Sequence, residues 1–108
     1  MINIDIEINL KEITFNDLIQ NPNILDYFIL SSLNSYEKKV KNISHRIIRI
    51  LRLDLDGNQR KSLSRLIAIR LQMFLEMGLI EKNDNGYFLK NGVINIKNIY
   101  TSSGITIK

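Results

Sequence analysis

The sequence predicts an α+β domain: a helical core, a C-terminal β-hairpin after it and an additional N-terminal strand before it. Three observations carry this. Apolar residues alternate with polar ones at the N-terminus, they recur at three- and four-residue spacing through the middle of the chain, and Asn85-Gly86 interrupts a β-compatible stretch after a stop at Gly78. At 108 residues, 44% hydrophobic and 24% charged, the chain is expected to form one folding unit, 1–108, with a core at 22–90, a strand at 2–10 and a β-rich extension at 91–108.

Ile2, Ile4, Ile6, Ile8 and Leu10 alternate with Asn3, Asp5, Glu7 and Asn9, the period-2 pattern of a strand with one buried face. Such a strand either closes a small sheet within the chain or pairs with a partner. Thr14 and Asp17 have the spacing of a weak capping box before a short helical turn over 15–20. Asn21-Pro22 is a good helix start, because proline gives up no hydrogen bond at the first helical position. Ile24, Leu25, Phe28, Ile29 and Leu33 then mark a structural helix over about 22–35.

Lys38, Lys39 and Lys41 fall in a polar connection, either solvated or facing phosphate. Ser44 can cap a helix running to about 55, with Ile47, Ile48, Leu51 and Leu55 on one side and His45, Arg46, Arg49 and Arg52 on the other. No acid interrupts that second side, so the ion pairs of a merely solubilising face are missing. Asp56-Gly57-Asn58 reads as a turn, and the next helix begins between Asn58 and Ser62. Its apolar positions are Leu63, Leu66, Ile67, Leu71, Phe74 and Met77, with Gly78 as the stop. Arg65, Gln72 and Glu76 lie opposite, yet Ile69 sits among them and Arg70 falls within the apolar arc, where an acid such as Asp54, Asp56 or Glu76 would pair with it. A helix this apolar all round is covered either by the chain's own ends or by a second copy in a homodimer.

Asn85-Gly86 predicts a hairpin with strands at 79–83 and 87–90 and Glu81 facing Lys90. The tail carries Val93, Ile94, Ile96, Ile99, Ile105 and Ile107 around a Thr101–Gly104 turn and either extends the hairpin or pairs with 2–10.

Composition narrows the chemistry. There is no cysteine and a single histidine, His45, so thiolate sites, disulfides and multi-histidine metal sites are excluded. Neither a phosphate-binding glycine loop nor a dinucleotide fingerprint occurs, and Asp54 and Asp56 are explained by turn chemistry. A binder without metal or cofactor is expected, not an enzyme. No apolar run reaches about 18 residues and the N-terminus lacks a signal-peptide pattern, so a soluble cytoplasmic protein with no membrane association is expected. A membrane-surface helix at 44–55 would lack Trp and Phe on its apolar face, and Phe28 and Phe74 lie on core arcs and not on a base-stacking platform.

The net charge of +4 is unevenly placed. Residues 1–36 hold one base against five acids, residues 37–70 ten bases against three acids, and residues 71–108 four bases against three acids, giving −4, +7 and +1. The basic block covers the two mid-chain helices.

From Ser62-Leu63-Ser64-Arg65 through Leu75-Glu76-Met77-Gly78-Leu79-Ile80 to Gly86, the chain resembles the winged helix-turn-helix DNA-binding family of small transcription regulators. The resemblance covers about residues 22–90 and rests on spacing and a few residue types; the N-terminal strand and the Ile-rich tail depart from the minimal pattern. It implies a recognition helix starting near 60 that brings Arg60, Lys61, Ser62, Ser64 and Arg65 toward the major groove of double-stranded DNA. It implies a preceding helix whose His45, Arg46 and Arg49 follow the backbone, and a wing carrying Lys82, Asn83 and Asn85. Transcription regulation by a homodimer is the function expected on that basis. The alternative is a winged-helix protein-interaction module within a larger nucleic-acid-processing assembly, since fold alone does not fix function.

Overall fold

The structure is a computed structural model of the chain, and it describes residues 2–4, 13–34, 38–90, 94–96, 99–100 and 106–107. It is α+β, with four helices followed by a two-stranded antiparallel hairpin, a layout compatible with a winged helix. The order is β1 (Ile2–Ile4), α1 (Phe15–Gln20), α2 (Pro22–Asn34), α3 (Val40–Leu51), α4 (Gly57–Glu76), β2 (Ile80–Asn83), β3 (Gly86–Leu89), β4 (Ile94–Ile96), β5 (Ile99–Tyr100) and β6 (Thr106–Ile107). β1 pairs in parallel with β4, and β5 pairs antiparallel with β6. Residues 5–10 of the expected N-terminal strand lie outside the described residues, as does the 101–104 turn of the tail.

Local chemistry accounts for the helix ends. Thr14 and Asp17 form the capping box that opens α1, with the Asp17 amide donating to Thr14 Oγ1 at 3.2 Å and the Thr14 amide donating to Asp17 Oδ2 at 2.7 Å. Pro22 is the first residue of α2. The expected start of α3 at Ser44 is incorrect: the helix begins at Val40, and Ser44 is buried within it. Its expected end near 55 is also incorrect, because Arg52 takes a left-handed conformation (φ 53°, ψ 46°) and the Leu53 amide donates back to Ile48 O at 3.0 Å. That reversal returns Leu55 to the core. Asp56 and Gln59 cap each other reciprocally at 2.8 and 3.0 Å, so Gly57 opens α4 and is not part of a turn. Gly78, at φ +76°, ends α4 as expected, and the Leu79 amide reaches back to Phe74 O at 3.0 Å.

The core forms where α1 to α4 meet. Leu18, Leu25, Tyr27, Phe28, Ile29, Ile43, Ile47, Leu63, Ile67 and Leu71 are fully buried, and the Tyr27 and Phe28 rings meet edge-on at 5.6 Å. Met77, expected in this core, is instead 59% exposed. Arg70 pairs with none of the nearby acids; its guanidinium holds both carboxylate oxygens of Asp26 on α2, at 2.6 and 2.7 Å. The hydrogen bond to Asp26 raises the Arg70 pKa further above its ordinary value. A raised pKa stabilises the fold below the unfolded value and is lost only as pH climbs through the folded one, so on the arginine side the α2–α4 clamp does not weaken at neutral pH.

The hairpin departs from the expected register. Asn83 faces Gly86, and Glu81 faces Phe88 instead of Lys90, because the loop is Asp84-Asn85. The Asn83 side chain sets this position by accepting the Asn85 amide at 2.8 Å. Gly86 belongs to β3 at φ +128°, where a Cβ would lie 2.8 Å from Lys38 Cβ and collide with the Lys38 carbonyl. The neighbouring Tyr87 amide donates to that same carbonyl at 2.8 Å. The backbone before α3 is thus tied to β3 by one hydrogen bond.

Gly86→Ala meets both the dihedral and the steric obstacle and should lower the unfolding free energy by about 1–3 kcal/mol in urea titration. Gly57→Ala, with nothing within 4 Å of the added methyl, should leave it unchanged or raise it by up to about 1 kcal/mol.

Candidate nucleic-acid interface

With α3 spanning Val40–Leu51, its buried arc includes Ile43 and excludes Leu55, which lies beyond the helix, so the arc is centred differently from the one read for a helix over 44–55. Ile43 becomes a core residue beside Ile47, and Arg46 moves to the edge of the interior. Arg46 is only 9% exposed, with one terminal nitrogen 3.0 Å from Ser32 Oγ and the other 3.4 Å from Ser31 Oγ. The expectation that Arg46 lines an outer stripe is therefore incorrect. Ser32 serves two partners, since its hydroxyl donates to Phe28 O at 2.7 Å while its oxygen accepts from Arg46.

The outer stripe itself exists with different members. Lys41, His45, Arg49 and Arg52 follow one another at four-, four- and three-residue spacing and are all exposed. Lys41 is the residue that sequence reasoning missed. Its signal was the four-residue step to His45, hidden by placing the helix start three residues beyond it.

On α4, Lys61 and Arg65 occupy the exposed side opposite Leu63, Ile67 and Leu71, and Ala68 and Gln72 continue the same line. Ala68 and Gln72 stand outside the expected set; their spacing to Lys61 and Arg65 was the available signal. Arg60 is exposed but bends back over the preceding turn, its Nε donating to Leu55 O at 3.3 Å. Ser62 is exposed and Ser64 half-buried. No acid occurs in α3, nor in α4 before its last residue, Glu76.

The hairpin leaves from the other end of α4. Lys82, Asn83 and Asn85 are exposed there, with Lys82 Nζ 5.2 Å from the centre of the Tyr87 ring and the Asn83 carbonyl oxygen occupied by the turn. Lys61 and Arg65 are thus exposed on α4 and His45 and Arg49 on α3, two helices that pack against each other, with Arg60 in the first turn of α4. The wing residues follow the C-terminal end of α4, a helix about 30 Å long.

Comparison with family models, with curated proteins and with solved structures finds no match for this chain. No helix among the described residues is long and apolar enough to cross a membrane.

Replacing Arg46 separates structural from surface cations. Arg46→Ala strips two buried serine hydroxyls of a charged donor and should destabilise the protein by about 2–3 kcal/mol. Arg49→Ala, at an exposed position, should stay within about 0.5 kcal/mol of the parent in the same denaturation experiment.

Proposed function

We propose that this protein binds double-stranded DNA as a winged helix, with α4 as the recognition helix and α3 along the phosphate backbone, in the role of a transcriptional regulator. One observation carries the reading: two consecutive helices, joined through residues 52–56, each present an exposed basic line free of acids. Lys61, Arg65 and Gln72, spaced by the small Ala68, suit a groove, since Arg and Gln take paired acceptors on base edges and Ala leaves room for approach. Lys41, Arg49 and Arg52 suit phosphates, as does Arg60 at the helix start. Lys82, Asn83 and Asn85 would contact the flanking backbone.

Arg52 adds support. Its left-handed conformation costs a non-glycine residue about 1–2 kcal/mol, and glycine or asparagine would end the helix with less strain. A charged side chain at that position extends the line begun by Lys41.

Five exposed bases on phosphate, Lys41, Arg49, Arg52, Arg60 and Lys82, imply a steep salt dependence, with affinity for random-sequence duplex falling on the order of 10²- to 10³-fold between 50 and 200 mM salt. Reversing Arg60 and Arg65 to Glu together should abolish binding while the circular dichroism spectrum is unchanged. A flat salt response, or loss of a co-purifying protein with duplex binding intact, would instead favour the protein-interaction module.

Arg52→Gly should act in opposite directions, raising stability by about 1 kcal/mol and reducing duplex affinity several-fold at low salt. Equal affinity for parent and variant would remove Arg52 from the interface.

A further inference from the structure

The geometry points to a second copy of this chain as the occupant of a side face of α4, with the two α4 helices packed antiparallel about a two-fold axis. Leu66, Ile69, Met73 and Met77 recur at three- and four-residue spacing along a side of α4 between the core face and the basic face, Leu66 and Met73 packing partly against the core and Ile69 and Met77 standing clear of it. Ile69 and Met77 are 63% and 59% exposed, Leu66 and Met73 are half-buried, and the one other large exposed hydrophobic among the described residues is Ile19 on α1. Apolar side chains at this spacing along a helix are the seam of a helix–helix contact.

Charge selects both the partner and the direction. Arg65 and Glu76 are exposed on the same flank of this line, near its two ends. When two such helices run antiparallel with Ile69 beside the two-fold axis, Leu66 of one copy lies against Met73 of the other, and Arg65 of each copy meets Glu76 of the other. A parallel pair would set this flank of one copy against the opposite flank of the other, leaving Arg65 and Glu76 of the two copies on opposite sides of the seam and unpaired. On the other flank Arg70 approaches its own symmetry mate, but the bidentate bond to Asp26 already neutralises it. The interface is isologous, with one patch carrying both signs, so a second copy is its natural complement. The same symmetry turns Lys61 and Arg65 of both copies toward one side, leaving the basic faces side by side. The inference needs the exposure and charge of α4 alone and does not rest on DNA binding.

Four apolar side chains per copy make a small interface, so the association is concentration-dependent. The test is sedimentation equilibrium of the full chain without DNA, from about 1 to about 500 µM. The wild-type mass should climb toward twice the monomer, and Ile69→Glu, at an exposed position where the fold tolerates charge, should remain monomeric throughout. Arg65→Glu and Glu76→Arg should each weaken association by about 3- to 10-fold, and the double variant should recover to within about 2-fold of wild type. A monomeric wild type across the range overturns the inference, and so does an Ile69→Glu variant that associates normally. A double variant as weak as the singles overturns the antiparallel register. A monomer that still binds duplex would overturn this inference alone and leave the DNA reading standing.

Discussion

The C-terminal turn of α2 sets the packing of the domain. A helix ends with carbonyls that have no intrahelical partner and with the negative pole of its dipole, and α2 brings no basic residue of its own to that end. Its last turns are interior, from Leu25 through Leu33, so water cannot solve the problem. Lys38 supplies a donor to one of these carbonyls, its Nζ lying 2.5 Å from Leu33 O, and Arg46 engages two serine hydroxyls of the same turn, Ser31 and Ser32. The position of Lys38 then governs the hairpin, because its carbonyl receives the Tyr87 amide, its backbone presses on Gly86, and its ammonium lies 5.1 Å from the Phe88 ring centre. One helix end thereby fixes α3 through Arg46 and β3 through Lys38.

This requirement also divides the basic block by role. Lys38, Arg46 and Arg70 belong to the interior, where each meets a specific acceptor: a helix carbonyl, a serine pair and the Asp26 carboxylate. Lys39, Lys41, Arg49, Arg52, Arg60, Lys61 and Arg65 remain exposed. The concentration of charge in mid-chain therefore has two origins, and a count of bases overstates the surface field. What remains outside is still well above the local acids, Asp54 and Asp56, of which Asp56 is engaged as the α4 cap.

Periodicity and local capping were legible in the sequence wherever a residue type has few physical alternatives. Thr14 with Asp17, Pro22, Gly78 and the apolar positions of α2 and of α4 other than Met77 read directly, since capping geometry and helical spacing act within a few residues. The α3 boundaries did not. At Val40 no side chain caps the helix, and at Arg52 a non-glycine takes the left-handed conformation, so neither end carries its usual signal. The misplaced ends brought Leu55, which lies beyond the helix, into the apolar arc and left Ile43 out of it, so the arc was centred too far from Arg46. Asp56-Gly57-Asn58 misled because Asp serves turns and caps alike; Gln59, three residues on, was the clue that separates them. The hairpin register follows the Asp84-Asn85 loop that the Asn83 side chain closes, and it places Gly86 against Lys38, a contact 48 residues away that no local pattern encodes. The same holds for Arg70, whose partner lies on α2. Among candidate site residues, Lys61, Ser62 and Arg65 of α4 and His45 and Arg49 of α3 are exposed as expected, whereas Arg46 is buried and Ser64 half-buried.

The puzzling feature of the sequence, a long helix too apolar for a surface element, resolves into three lines along α4. Leu63, Ile67, Leu71 and Phe74 face the core; Lys61, Arg65, Ala68 and Gln72 face outward; Leu66, Ile69, Met73 and Met77 run along one side. A helix of 20 residues has room for three such lines only if its remaining side is short of competing function, and there Arg70 closes onto Asp26. The first line builds the core, and Leu66 and Met73 of the side line pack partly against it. Ile69 and Met77 remain in water, where apolar surface opposes solubility unless something covers it. The separation of outer and side faces means that a contact on one need not displace a contact on the other, with Arg65 at their border the single residue able to couple them.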